Sequence, residues 1–189
     1  MPVLKDVIKI SEIKGGTVKF FHPLVLSFFI GVMHMLINKE HLEKKEINSK
    51  VHKVRAIIMN DEGKVYITNM DYSYNLPGGR VEANENLKDA LIREIAEELG
   101  IRVAKKEIQY IGNITFWHKD FPGEKGSVNR ENNVDLFWVV NPKEIKPERV
   151  QLTNYEKHYH FHLMNCNFKE IQDLLNNKYN GKMCLSYSS

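Results

Sequence analysis

The sequence contains little that would mark a secreted, metal-thiolate or nucleic-acid-coating protein. Only two of its 189 residues are cysteines, Cys166 and Cys184, and they lack metal-ligand spacing. Lys and Arg number 27 against 24 Asp and Glu, and the resulting net charge of +3 is too small to argue for a nucleic-acid-binding surface. No cleavable signal sequence, low-complexity tract or internal repeat is recognisable. We therefore expect a reduced, cytoplasmic protein built around one compact domain.

Charged residues are also missing from one long segment, residues 20–38. Its length falls within the range of a bilayer span, but it contains two histidines and Pro23, and lysines occur on both sides. A membrane span is therefore disfavoured, and we expect a helix from Pro23 that packs against the protein or a second subunit. A hairpin is predicted over residues 7–21. Residues 1–50 thus form an expected N-terminal hairpin-helix extension, with a homodimer through this extension as one hypothesis.

The chain after residue 50 predicts a sheet around a central helix. Apolar and β-branched runs indicate strands at Val51 to Met59, Lys64 to Thr68, Ile108 to Trp117, Val134 to Val140 and Tyr159 to Met164. A polar loop is expected from His118 to Asn133, and a helix from Phe168 to about Lys178. This order predicts an α+β (α/β) fold with a mixed sheet sandwiched between helices, over residues 51–189.

The segment from Gly78 to Ile101 carries the chemistry. It opens with a Leu-Pro-Gly-Gly turn, where the backbone can approach a ligand, and continues into a helix that Gly100 should end. Helical spacing of i, i+3 and i+4 gathers three carboxylates on one face, those of Glu94, Glu97 and Glu98. Glu98 also lies at the edge of the apolar stripe, where an unpaired carboxylate is costly. A hard divalent cation, Mg²⁺ or Mn²⁺, would compensate this charge. The alternative is a solvated acidic face.

The spacing across this segment matches a known signature. The fixed positions are Gly79, Glu85, Arg93-Glu94-Ile95, Glu97-Glu98 and Gly100-Ile101. This pattern is identified as the Nudix box, at residues 79–101, and the chain resembles the Nudix hydrolase family. The strand pattern from Val51 to Lys178 is similar to the α/β/α sandwich of that family. Residues 1–50 lie outside the resemblance.

The resemblance implies a role for each box residue. Glu94, Glu97 and Glu98 would be ligands of Mg²⁺ or Mn²⁺, together with the carbonyl oxygen of Gly78 or Gly79. Arg93 would pair with Glu85 to hold the loop against the helix, although a helical partner such as Glu97 or Asp89 remains an alternative. In the family, a metal-bound water attacks one phosphorus of a diphosphate. The candidate catalytic residues are Arg93, Glu94, Glu98 and Glu131. The general base is left open between Glu94 and a carboxylate of the predicted loop, where Glu131 is favoured.

The expected substrate is a small-molecule nucleoside diphosphate derivative. The box specifies the reaction and leaves the rest of the substrate open. An RNA 5′ end is an alternative substrate that the mild basicity permits, although no arginine–aromatic RNA motif supports it. A non-catalytic nucleotide-binding module is a third hypothesis. The intact box disfavours it.

Overall fold

The structure, a computed structural model, describes residues 33–71, 73–140, 144–167 and 169–171. Seven strands and two α-helices are defined in these ranges: β1 (Met33–Ile37), β2 (Ser49–Ile57), β3 (Val65–Met70), β4 (Ser73–Asn75), α1 (Leu87–Leu99), β5 (Ile108–Gly123), β6 (Gly126–Val139), α2 (Asn154–His158) and β7 (Phe161–Cys166). A four-stranded mixed sheet has the order β1-β5-β6-β2, and a three-stranded antiparallel sheet has the order β4-β3-β7. In the first sheet, β5 and β6 are antiparallel, whereas β1 and β2 run parallel to their neighbours.

Helix α1 packs on one face of the four-stranded sheet. The side chain of Asn86 caps its start by accepting a hydrogen bond from the Asp89 N–H at 3.0 Å, and Gly100 ends it in a left-handed conformation with a φ of 69°. Its apolar stripe is fully buried against β2 and β6, where the contacting side chains include Leu91, Ile95, Leu99, Val54, Ala56 and Phe137. This packing holds the glutamate-bearing helix rigidly beside β2.

The opposite face of the same sheet packs against the three-stranded sheet. The second core contains side chains from both sheets, among them Ile67, Ile114, Phe116, Val134 and Leu136. Because successive residues of a strand point to opposite faces, even-numbered residues of β2 face α1 and odd-numbered ones face the other sheet. Lys53 and Arg55 therefore lie on the face turned away from α1.

The α+β class with a mixed sheet is confirmed, but the predicted loop from His118 to Asn133 is wrong. Strands β5 and β6 continue through that segment as one long hairpin, and they turn at residues 124–125. Polar side chains contact across the two strands: the indole of Trp117 donates to Glu131 at 3.0 Å, and the Asp120 N–H donates to the side chain of Asn129 at 3.2 Å. Polar composition is therefore not sufficient evidence for a loop, because a two-stranded ribbon also satisfies polar side chains by cross-strand pairing.

The helix predicted from Pro23, within residues 20–38, is wrong at its C-terminal end. Met33–Ile37 is strand β1, which pairs in parallel with β5, and Ile37 packs against the second core while Leu36 is exposed. The rest of that segment and the predicted hairpin lie outside the described residues, as does most of the helix predicted from Phe168. The boundary at residue 51 and the homodimer remain predictions. No helix in the described ranges is long and apolar enough to cross a membrane.

Candidate active site

A glycine turn runs along the free edge of β2 and forms one wall of the site. The Ala56 N–H donates to the carbonyl of Pro77 at 2.9 Å, and the Val54 N–H donates to the carbonyl of Gly79 at 3.0 Å. Gly78 has a φ of +126°, and a Cβ there would overlap the carbonyl oxygen of Val54. Only glycine fits this backbone position, so the turn is held directly against the sheet.

Glu98 is the most buried carboxylate of the box. Glu98 is only 4% exposed, and its Oε2 accepts a hydrogen bond from the Gly78 N–H at 2.7 Å. Burial raises the pKa of Glu98 to about 8, although the positive charge of Arg55 and the Gly78 N–H both act in the opposite direction. Without a further cation, this carboxyl group therefore holds its proton at neutral pH.

Glu94 lies directly against the same turn. A Cβ on Gly79 would overlap the Glu94 carboxylate, so the second glycine is what permits this close approach. Burial raises the pKa of Glu94, and the hydrogen bond and charge of Arg93 partly offset that effect. The carboxyl groups of Glu94 and Glu98 on α1 thus both contact the same glycine turn, and burial makes both more difficult to ionise.

Arg93 connects the loop with the glutamates of α1. Its Nε and Nη2 atoms donate to the two carboxylate oxygens of Glu85 at 3.0 and 2.9 Å, and Nη2 also donates to the Arg80 carbonyl at 3.0 Å. Its Nη1 reaches Glu94 at 2.9 Å and Glu97 at 3.5 Å. The structure therefore contains the loop pair and also a helical pair. The hydrogen bond from Arg93 lowers the pKa of Glu85.

The box residues fit a divalent cation by their chemistry. As placed in the structure, no three His, Cys, Asp or Glu side chains of the described part are positioned to hold a metal ion. Two of the expected ligands are instead turned to Arg93, namely Glu94 and Glu97, and the Gly78 carbonyl accepts a hydrogen bond from Arg55. All the donors are oxygens, as Mg²⁺ and Mn²⁺ prefer, and the buried carboxyl of Glu98 needs a positive charge to ionise.

Two cations of β2 lie beside the glycine loop, Arg55 on the turn itself and Lys53 opposite Arg80, and neither was predicted from the sequence. Arg55 is half-buried and donates to the carbonyl oxygens of Leu76 and Gly78, the first at 3.0 Å. Burial lowers the pKa of Lys53 to about 8, and the neighbouring charges of Arg55, Arg80 and Arg130 lower it further. The available signal was two basic residues at positions i and i+2 of a predicted strand in which His52 is the one other polar residue, which indicates cations on one partly buried face.

Glu131 lies away from the box glutamates. It pairs with Lys50 in the register of β2 and β6, whereas the Gly79 carbonyl bonds Val54, four residues further along β2 and on its other edge. At about 3.3 Å per residue, this separation is roughly 13 Å along the strand alone. The two carboxylate oxygens of Glu131 contact Trp117 and Lys50. Neither partner is a residue of the box.

A helix with buried carboxylates packed on a glycine turn defines an oxygen-donor site of the kind that binds hard cations. A sequence model of the NUDIX domain matches residues 50–180 of this chain. This match covers more than half of the chain and includes the whole box. The chain belongs to the Nudix family.

Individual relatives are similar over shorter stretches. The chain is 35% identical over 83 residues to an RNA pyrophosphohydrolase of Bartonella henselae, a match that covers 38% of this chain and 46% of that protein. It is 50% identical over 52 residues to an 8-oxo-dGTP diphosphatase of Buchnera aphidicola, over 25% of this chain and 42% of that protein. The chain thus spans less than half the length of these curated relatives.

Solved structures also match the chain. A structure described as MutT from Aliivibrio salmonicida and Vibrio cholerae matches with a TM-score of 0.42 at 26% identity, over 67% of this chain and 82% of that chain. A MutT protein of Bacillus halodurans matches with a TM-score of 0.44 at 19% identity, over 72% of this chain and 83% of that chain.

Proposed function

We propose that this protein hydrolyses a diphosphate bond in a nucleoside diphosphate derivative, with Mg²⁺ or Mn²⁺ as its cofactor, in the cytoplasm. The observation that carries the proposal is the arrangement around Gly78, where the buried carboxyl of Glu98 accepts the turn's N–H at 2.7 Å beside Glu94. Such a group is costly in a protein that never binds a cation. Binding of a metal ion would offset the cost of burying this carboxyl group, because the positive charge favours its ionised form.

The cation would be held by oxygen atoms of the box. The ligands would be Glu94, Glu97 and Glu98 with the carbonyl of Gly78 or Gly79, once Arg93 and Arg55 release those oxygens. When bound, the cation lowers the pKa of a water molecule and neutralises charge on the phosphate oxygens. The ion pair of Arg93 with Glu85 keeps the loop on the helix, because it joins the two through a bidentate contact.

Glu94 is the general base in this proposal. Its carboxylate lies against the turn that faces the cation site, so it can accept a proton from a water molecule there. Glu131, the other candidate from the sequence, has its carboxylate occupied by Trp117 and Lys50 at a distance from the turn. Arg55 keeps a positive charge beside the turn, where a phosphate group of the substrate would approach.

An RNA 5′ end is the second candidate substrate, and one observation favours it. The relative from Bartonella henselae is named an RNA pyrophosphohydrolase. The other relative is named for a small-molecule nucleotide, so the names divide between the two substrate classes. The scissile linkage would be the same in both cases.

Separation of the reaction products by ion-exchange chromatography, after incubation with Mg²⁺ or Mn²⁺, tests the proposal, because diphosphate hydrolysis leaves the phosphates on two products such as a nucleoside monophosphate and pyrophosphate or a sugar phosphate. The panel contains nucleoside triphosphates, nucleotide sugars, ADP-ribose, dinucleoside polyphosphates and a 5′-triphosphorylated RNA. We expect one class to be hydrolysed, and we expect Glu98→Gln to abolish this activity while the exposed control Glu148→Gln retains it. Hydrolysis that does not depend on the metal, or equal rates of hydrolysis by Glu98→Gln and Glu148→Gln, would contradict the proposed site. Silence across the panel would favour a binding module.

A further inference from the structure

A positively charged cavity lies beyond the box, along the same strand. It has a volume of about 270 Å³, and its lining includes Ser49 and Val51 of β2, Arg130 of β6 and Arg80 of the glycine loop. Glu124, at the hairpin turn, is the single acidic residue that lines it. Ser49 and Val51 are odd-numbered residues of β2, like Lys53 and Arg55, so the cavity opens on the strand face that carries these cations.

The cations near this cavity lack anionic partners. Within the described ranges, none of Lys53, Arg80 and Arg130 forms an ion pair. The Nε of Arg130 is buried and has no hydrogen-bond acceptor among the residues that the structure describes, while its guanidinium carbon lies 4.1 Å from the ring centroid of Phe121. Burial lowers the pKa of Lys53, and the charges of Arg55, Arg80 and Arg130 lower it further, while burial and the charge of Arg80 lower the pKa of Arg130. A bound anion would relieve this repulsion and satisfy the buried donor.

The position of the cavity determines which part of a substrate can reach it. Val51 lies four residues from Arg55 on β2, which is roughly 13 Å at about 3.3 Å per residue. This distance exceeds the length of a single diphosphate linkage, so a group at the Ser49–Val51 end of the cavity is separate from the phosphates at the box, while Arg80 borders both the cavity and the glycine turn. Lys53 lies midway between the two positions.

We infer that the cavity between Arg80 and Arg130 binds a second phosphate group of the substrate, separated from the scissile diphosphate by a nucleoside. The inference rests on the proposed function, because it assigns the far end of the same substrate. Two sources supply this chemistry: a nucleotide with a phosphate on its 3′ oxygen, and an RNA 5′ end with its first internal phosphodiester. Both place a phosphate one nucleoside away from the 5′ phosphates.

Equilibrium binding in EDTA tests this inference without any turnover. The probes are adenosine 5′-monophosphate, adenosine 3′,5′-bisphosphate and the 5′-phosphorylated dinucleotide pApA. We expect at least one of the two latter probes to bind wild-type protein tenfold or more tightly than the monophosphate, and the one that does identifies the source. Arg130→Gln should reduce this preference below threefold, and Arg80→Gln should reduce it as well. The exposed Arg102→Gln is the matched control and should retain it.

The outcomes separate this inference from the proposed function. Equal affinities for all three probes, including binding of none, would overturn it even if diphosphate hydrolysis is found. A preference that survives both Arg130→Gln and Arg80→Gln would overturn it too. A preference that both variants remove, in a protein that hydrolyses nothing, would keep the phosphate site and refute the catalytic proposal alone. Thermal unfolding of each variant identifies any that fails to fold, and the other then decides.

Discussion

Replacing Glu98 with glutamine should stabilise the metal-free protein at neutral and alkaline pH while it abolishes hydrolysis. The pKa of Glu98 rises from 4.5 in an exposed carboxyl to about 8 in the folded protein, chiefly through burial. Between these two values the folded state holds one proton that the unfolded state has released. Stability from the protonated group is therefore complete below about pH 4.5 and is lost as the pH rises through about 8.

The size of the effect follows from the same shift. One extra proton on the folded state lowers the free energy of unfolding by about 1.4 kcal/mol per pH unit, or about 5 kcal/mol over the whole interval. The Gly78 N–H donates to Glu98 at 2.7 Å, and the side-chain oxygen of a glutamine can accept the same hydrogen bond. Unlike the carboxyl group, the glutamine amide does not titrate. The Glu98→Gln protein should therefore lack this part of the slope.

Urea unfolding, followed by tryptophan fluorescence in EDTA, measures the slope from about pH 5.5 to about pH 8.5. The quantity of interest is the difference between wild type and Glu98→Gln, because other titrating groups contribute to both proteins. Excess Mg²⁺ should stabilise wild type, by about 2.7 kcal/mol at a hundredfold excess over its Kd, and should stabilise the variant less. Parallel pH profiles for wild type and variant, or equal stabilisation by Mg²⁺, would refute the reasoning. Glu148→Gln, at an exposed position, should follow wild type throughout.

Two further predictions concern the base and the turn. Glu94→Gln should lower kcat by about 10²–10⁴-fold, as loss of a general base does. Glu131→Gln should lower kcat less than tenfold, and steady-state kinetics with Mg²⁺ that show the reverse order would reassign the base. Gly78→Ala should destabilise the fold by more than about 1–3 kcal/mol, the range for a strained backbone, because its Cβ would also overlap the Val54 carbonyl oxygen. Urea unfolding measures this change, and an unchanged midpoint would show that the turn can move away from β2.

The central helix and its glutamates were predictable because the relevant information is local. The i, i+3 and i+4 spacing and the terminal Gly100 act within a few residues of each other, and the structure has a helix from Leu87 to Leu99 with that end. The buried position of Glu98 beside the apolar stripe followed from the same helical geometry. Local periodicity therefore indicated which face of α1 approaches the turn.

The hairpin and the N-terminal strand were less predictable. The segment from His118 to Asn133 is polar, and its strands are stabilised by pairing with each other and, at residues 130–133, with β2, because none of its residues belongs to the buried core. Strand β1 forms because its partner β5 supplies hydrogen bonds. The two strands are more than seventy positions apart in the sequence, as the pair Met33 and Gly112 shows. Short apolar runs do not distinguish a helix from a strand when the partner is distant in sequence.

The sequence by itself determined the chemical character of this protein, namely a helix that presents carboxylates to a glycine turn, and with it the family. Only the tertiary structure decided which cations face that turn and which carboxylate lies apart from it. Lys53, Arg80 and Arg130 converge because β2 pairs with β6 on one edge and with the glycine loop on the other, and Glu131 lies apart for the same reason. Register between strands depends on pairing across the whole sheet, so no local pattern reveals it.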